Sequence, residues 1–379
     1  MKAILIGNYW PDKQESMERF AQLLSVAFSD RGITTEIWRP RIIFGRLTKS
    51  TTGVGKWIGY IDKWILFPLI LLYRLQKKEY RATSVHFHVC DHSNAPYLKS
   101  LPLTRTSITC HDVLAIRGAF GHTDAYCPAS PAGVILQKWI LHRLLRAQKL
   151  ITTTQMTMTH LLELGQGTVI NTENWRVITL ALSPGFRKMP KEERDKRLAE
   201  VNIAPGESFI LHVGSGLPRK NRKMLLDMTK VLGKRWNGRI CFAGEKLNAE
   251  LLAYAEKLGL THRVFHIKPN QELLVALYNA CDAFIFPSFS EGFGWPGPEA
   301  QACGAPVIAS SLAPMPEVSG GGALLADPYK PEEFANAFLR LQNEKGLRES
   351  LIRQGFENVT RFEVSKMLDR YLELNFKTQ

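Results

Sequence analysis

The sequence has six cysteines, no two at CxxC spacing, so it shows neither a zinc ribbon nor a redox pair. They lie mostly in apolar stretches and read as reduced core thiols of a reducing compartment. No GxSxG elbow is present, which removes the serine-hydrolase reading. Gly214–Ser215–Gly216 follows a strand-like run, but LPRKN comes next where a dinucleotide fingerprint needs a third glycine opening a helix. No DxD pair stands where a diphosphate-bound metal would need one. The opening MKAILIGNYW lacks the long apolar region and cleavage site of a signal peptide, so a cytoplasmic location is the default expectation. The longest apolar run, Trp64 to Tyr73, is half the roughly 20 residues a spanning helix requires.

What is present is a globular balance of 45% hydrophobic and 22% charged residues over 379 positions, enough for two domains. The formal charge of +14 is unevenly spread. Residues 1–188 carry 24 basic and 12 acidic side chains, and 189–379 carry 25 and 23. That excess points to an anionic partner for the first half: nucleic acid, a membrane surface or a phosphorylated substrate. Nucleic acid is not expected, because the Lys and Arg are dispersed and no recognition module appears. The Trp64–Tyr73 run has two readings: a helix buried between layers, or an interfacial helix. In the second, Trp57 and Trp64 sit at headgroup level, flanked by Lys63, Arg74, Lys77 and Lys78.

Short apolar runs alternate with helical periodicity. Strands are predicted at 3–7, 34–38, 84–90, 106–110, 149–154 and 176–182, with helices at 16–29, 57–78, 132–147 and 155–164. After a polar connection from Lys188 to Ser208 the rhythm restarts, with strands at 209–215, 239–244, 263–268, 282–288, 306–311 and 323–328. The fold class is therefore α/β, with two Rossmann-like doubly wound parallel-sheet domains facing a cleft. Their expected extents are 1–187 and 188–361. Ligands on such sheets bind beyond the carboxyl ends of the strands.

Those loops hold the unusual polar residues. Arg219 and Lys220 stand beside backbone amides and suit a diphosphate. In DAFIFPSFSEGFGWPGPEAQACGAPVIASS, from Asp282 to Ser311, Glu291 sits at the mouth of a glycine-rich loop and Glu299 in the first turn of the helix that follows. Ionised carboxylates there suit hydroxyl-rich ligands, and an anion would gain from free amides at that helix start. His86 and His88 alternate on one strand near Asp91 and His92; such strand histidines usually only hydrogen bond, and no metal is expected.

The stretch EGFGWPGPEAQACGAPVIAS, with PEV at 316–318 and DP at 327–328, resembles the donor-site signature of retaining GT-B glycosyltransferases of family 4 (GT4), of mannosyltransferase type. PRKN at 218–221 is similar to the family's phosphate-binding loop, and CHD at 110–112 to its His-containing loop. The resemblance implies that Glu299 holds ribose hydroxyls and that Glu291 contacts the donor sugar with the amides of Phe293 and Gly294, Trp295 adjoining. It implies that Lys220, aided by Arg219, neutralises the diphosphate and that His111 lies over the sugar. It also implies a final helix, within 362–379, that crosses back to the first domain. Ser215 stands where many members carry Arg, and Glu15 and Ser16 where two glycines are common, which makes these two, with Asp112, candidates for the acceptor side.

The implied reaction moves a hexose, with GDP-mannose the favoured donor, from a nucleotide sugar to a hydroxyl of a glycan or lipid-linked acceptor in cell-surface polysaccharide synthesis. It proceeds with retention and without cofactor or catalytic metal, at the inner face of the cell membrane. A nucleotide-sugar-binding protein without turnover and a basic nucleic-acid-binding protein are the readings from other classes.

Overall fold

The computed structural model describes residues 1–47 and 54–376; the side chains of 54–57 lie outside that description, and with them the expectation for Trp57, as do the last three residues of the 362–379 segment. The chain divides into two compact units. The first comprises Met1–His122, Cys127–Leu180 and Val364–Gln379, the second Thr123–Tyr126 and Ala181–Glu363.

In the first unit, β1 (Lys2–Ile6), β2 (Thr34–Trp38), β3 (Val85–Val89), β4 (Thr106–Cys110), β5 (Lys149–Thr152) and β6 (Asn174–Val177) form one parallel sheet in the order β2-β1-β3-β4-β5-β6. The order reverses direction between β1 and β3, so a crevice opens beyond their carboxyl ends. β4 is buried throughout although its sequence is TSITC. Its hydroxyls are satisfied inside the sheet: His88 bonds Ser107 Oγ at 2.7 Å through Nδ1 and Thr109 Oγ1 at 3.0 Å through Nε2, and Thr109 also meets Tyr371 Oη at 2.8 Å. With both ring nitrogens so used, His88 is a core histidine; among the described residues no group of His, Cys, Asp and Glu could hold a metal.

The sequence pattern places the sixth strand at 176–182, but the structure shifts it to Asn174–Val177. The partner decides this. β5 ends at Thr152 because Thr154 caps the helix Gln155–Leu164 through Thr157 N–H (3.1 Å), so there is no ladder for residues beyond Ile178 to join. Trp175 fixes the register by donating from Nε1 to Ala147 O at 2.9 Å.

The 57–78 helix is also interrupted, into Val54–Ile61, a π-helical stretch Asp62–Leu66 and Phe67–Leu75. At the break, the fully buried Asp62 accepts from the amides of Ile43, Phe44 and Gly45 at 2.9 to 3.0 Å and from Tyr9 Oη at 2.9 Å. Burial alone would raise the Asp62 carboxyl, but these donors hold it below its usual value. Neither reading of Trp64–Tyr73 holds whole. Phe67 and Leu71 are core, whereas Ile65, Leu69, Leu72 and Tyr73 are exposed. Lys63 is buried against Asp12 at 2.6 Å and Arg74 stacks over Trp38, so neither is placed as a headgroup cation. Among the described residues no helix is long and apolar enough to cross a membrane.

In the second unit, β7 (Phe209–Gly214), β8 (Arg239–Gly244), β9 (Val264–Ile267), β10 (Ala283–Phe286), β11 (Val307–Ser310) and β12 (Ala323–Ala326) form a parallel sheet in the order β12-β11-β10-β7-β8-β9. This is the dinucleotide-fold order 3-2-1-4-5-6, and its reversal lies between β7 and β10. β10 and β11 are buried along their whole length, as continuous apolar runs covered on both faces should be. All six cysteines are free thiols, five of them buried.

Candidate functional site

Beyond the paired ends of β7 and β10 the structure brings together the donor-side residues expected from sequence. After β7 the chain turns through Pro218–Lys220, and Asn221 (φ 49°) locks that turn in place by donating to Pro287 O at 3.1 Å and Pro328 O at 2.8 Å. Lys220 Nζ then lies 2.6 Å from Glu291 Oε1, and Arg219 Nη1 donates to Glu291 Oε2 at 2.6 Å and to Ser290 O at 2.9 Å. Ser288 Oγ, at the end of β10, donates to Glu291 Oε1 at 2.7 Å.

Glu291 is only 4% exposed. Burial would raise its carboxyl, but Lys220 and Arg219 with the Ser288 donor outweigh it and keep the group ionised below the usual carboxylate range. His212, beneath this cluster on β7, is pushed down to about 3 by burial, then by the positive charges of Lys220 and Arg222, against a single bond to Ile285 O at 3.2 Å. It is a neutral wall of the site.

The glycine-rich loop follows. Gly294 has φ +93°, and a Cβ there would meet Met315 Cε and Phe286 Cε1 at 3.1 Å, so this position needs glycine. Phe293 is buried against Trp295 and Phe362. The amides of Phe293 and Gly294 donate to no group among the described residues. The start of the helix Pro296–Ala302 is less generous than the sequence suggests. Pro296 and Pro298 have no N–H, and the amides of Gly297 and Glu299 are spent on Gly294 O and Trp295 O at 3.1 Å. The donors open to an anion are thus in the loop before the helix. Glu299 projects from that helix and accepts from Tyr278 Oη at 3.2 Å.

An aromatic stack in the same unit had no sequence signal. Phe289, in the loop ahead of Glu291, lies between Tyr126 (5.1 Å, 10°) and Tyr329 (4.8 Å, 24°), whose hydroxyls meet at 3.1 Å. Tyr126 is remote in sequence, so only tertiary structure could place it there.

In the first unit, the crevice between β1 and β3 holds a buried network that sequence reasoning missed. Asn8 donates to Asp91 Oδ2 at 2.6 Å and accepts from Asn94 at 2.8 Å; Asp91 also accepts from Ser93 N–H and Oγ at 3.0 and 2.6 Å. The signal for it is a pair of small polar residues, Asn8 and Asp91, just past two apolar strands. Burial would raise Asp91, but His92, His111 and the Ser93 donors hold it low.

His111, beyond the end of β4, is 6% exposed with its ring edge-on to Phe20 at 4.7 Å. Its Nε2 lies 2.8 Å from Cys90 O, and since a carbonyl only accepts, Nε2 carries the proton. Burial lowers its pKa, so the ring is neutral and Nδ1, which has no partner, presents a lone pair. Asp112, partly exposed, accepts at Oδ1 from Leu114 N–H at 3.0 Å and so starts the next helical turn. Glu15 and Ser16 are exposed at the start of the helix Glu15–Asp30. Glu15 lines a cavity of about 420 Å³ with Asn8, Trp10, Lys13, Gln14 and Arg19, and Ser16 does not.

Two parallel doubly wound sheets, each with polar loops at its switch point, define the GT-B architecture of nucleotide-sugar glycosyltransferases. Residues 193–358 match the family described as Glycosyl transferases group 1. It is 26% identical over 234 residues to the O-antigen chain mannosyltransferase B of Escherichia coli, a match covering 59% of each chain. It is 27% identical over 224 residues to a D-inositol 3-phosphate glycosyltransferase of Mycobacterium sp. (strain KMS), covering 57% of this chain and 48% of that one. The matches thus span about half to three fifths of these relatives' own lengths. Among solved structures, the fold is similar to sucrose-phosphate synthase of Thermosynechococcus elongatus, with TM-score 0.75 and 17% identity over 99% of this chain and 98% of that one.

Proposed function

We propose that this chain transfers a hexose from a nucleoside diphosphate sugar to a hydroxyl of a glycan or lipid-linked acceptor, with retention. The carrying observation is the Arg219–Glu291–Lys220 cluster beyond β7 and β10, beside the unspent amides of Phe293 and Gly294. A diphosphate laid there meets two cations and two N–H donors. Glu291, already ionised, accepts from sugar hydroxyls while keeping both cations in place. Glu299 takes the ribose hydroxyls. The neutral His111 offers Nδ1 to a sugar hydroxyl, a role that needs a lone pair and not a positive charge.

The sugar's anomeric bond to the β-phosphate oxygen breaks while the acceptor oxygen bonds to the anomeric carbon from the same face. The departing phosphate takes the acceptor's proton, and the negative charge it gathers is met by Lys220 and Arg219. No side chain need act as nucleophile and no metal is invoked.

The mannosyltransferase name of one relative supports mannose, with GDP-mannose as donor. The acceptor side is the basic first unit, where an anionic group is favoured electrostatically. The exposed stripe of Ile65, Leu69 and Leu72 supports action at a membrane surface. The test is a thermal-shift screen with UDP, GDP and ADP, followed by transfer assays with the corresponding sugar nucleotides. GDP is expected to stabilise by about 2.7 kcal/mol at a hundred times its Kd. No shift with any of the three would overturn the donor-site reading, and binding without turnover over a broad acceptor panel would favour a non-catalytic binding protein.

A further inference from the structure

The first unit has a second polar cavity, of about 770 Å³, at the amino ends of β3 to β6 and beside the last turns of the helix Val364–Phe376. It is about 20 Å along β4 from His111 and shares no residue with either site above. Four cations line it, Arg105, Lys149, Arg176 and Arg370, against one carboxylate, Glu373. Among the described residues none of the four forms an ion pair with a carboxylate. Arg105 and Arg176 give Nη1 only to backbone carbonyls, and among the described residues the side chains of Lys149 and Arg370 have no hydrogen-bond partner.

Half-buried charge without a counter-ion is costly, and the cost is visible. Burial lowers the pKa of both Lys149 and Arg105. His86, on β3 at the cavity wall, is pushed down to about 4 by burial and then by those two cations. Its Nδ1 is buried with no partner, and its ring lies 4.3 Å from that of Phe376. Glu291 and Lys63, by contrast, are buried charges paired with opposite charge. A concave, small-molecule-sized volume walled by unpaired guanidinium and ammonium groups has the chemistry of a phosphate receptor.

We propose that this cavity binds a compact phosphorylated small molecule carrying two or more negative charges, at a site separate from sugar transfer. Arg105 and Arg370 supply planar forks for phosphate oxygens, Lys149 a point charge, and His86 Nδ1 a further donor once an anion lets the ring protonate. Such a site accounts for part of the first unit's basic excess, and it does not depend on the donor-site reading.

The test uses the full chain and inorganic pyrophosphate as probe. Calorimetric titrations compare the natural sequence with the double substitution Lys149→Gln and Arg370→Gln, neither of which removes a protein hydrogen bond. The variant is expected to lose one pyrophosphate-binding event, or to bind it about a hundredfold more weakly, while any event at Lys220 persists. In the natural protein, pyrophosphate is expected to shift the His86 imidazole resonances. If the double variant does not fold, the exposed Arg370→Gln alone must weaken binding and Arg370→Lys must largely restore it. Identical isotherms for the natural and substituted proteins, or unmoved His86 resonances at saturation, would overturn the proposal.

Discussion

Lys220 Nζ and Glu291 Oε1 stand 2.6 Å apart, both residues under a tenth exposed, and Arg219 closes on the other carboxylate oxygen at the same distance. The turn after β7 and the glycine-rich loop after β10 are thereby joined by two ion pairs.

Glu291→Gln keeps the shape but removes the charge, leaving Lys220 and Arg219 facing a neutral amide in a buried place. The second unit should lose about 3 kcal/mol of stability. A nucleoside diphosphate should recover part of that loss, because its phosphates replace the missing negative charge. Thermal unfolding of natural and variant protein with and without GDP checks both statements; a loss untouched by nucleotide would detach the cations from phosphate binding.

Glu299→Gln should leave folding nearly unchanged, since the side chain is only partly buried and Gln still accepts from Tyr278. A carboxylate hydrogen bond to a hydroxyl contributes about 1.5 to 3 kcal/mol, so kcat/KM should fall roughly ten- to a hundredfold, mostly through KM. Full activity with every donor would remove Glu299 from the site.

Acid should destabilise both units through their core histidines. His88 and His212 are nearly fully buried, with pKa values depressed to about 3. Below the ordinary value near 6.5 the unfolded chain binds a proton that the folded chain refuses. The stability these neutral rings contribute is complete above that pH and is lost as pH falls, by about 1.4 kcal/mol per unit for each ring until about pH 3. Glu291 adds to the loss only lower, as pH drops through the ordinary carboxylate range near 4.3 towards its own depressed value. Denaturant midpoints measured between pH 7 and 4 test this, and His88→Asn should flatten the profile of the first unit.

Ile65→Ser with Leu69→Ser should abolish flotation with anionic vesicles while leaving the melting temperature within a few degrees. The two side chains are 60% and 58% exposed and bury little against the protein. Raised salt should weaken the natural protein's attachment too, because Lys77 and Lys78 are exposed beyond the end of this helix. Vesicle binding equal in variant and natural protein would sink the membrane reading.

Most strands were legible because a parallel strand covered on both faces must be an unbroken apolar run, as in AILI of β1 and AFIF of β10. The sixth strand was not: RVITLAL has the composition of a strand, but its limits are set by where β5 stops. The helix of residues 57–78 was read as continuous because periodicity carries no trace of the Asp62 carboxylate drawing three amides from residues 43–45. Lys63 and Arg74 looked like surface cations for the same reason, since a sequence does not show Asp12 or Trp38 beside them.

For the candidate site, the sequence by itself determined which residues could do chemistry: Arg219, Lys220, Glu291 and Glu299, each in a loop or first helical turn after an apolar strand. It also determined the fold class, through the alternation of strand and helix in two rounds. Only the tertiary structure decided which of those charges meet. It joined Arg219 and Lys220 to Glu291, fixed His111 as a neutral ring with an open lone pair, and tied Asp112 Oδ1 to the amide of Leu114. Periodicity along a chain encodes which faces are buried. Charge pairing and protonation depend on distances between segments some seventy residues apart, and only folding sets those distances.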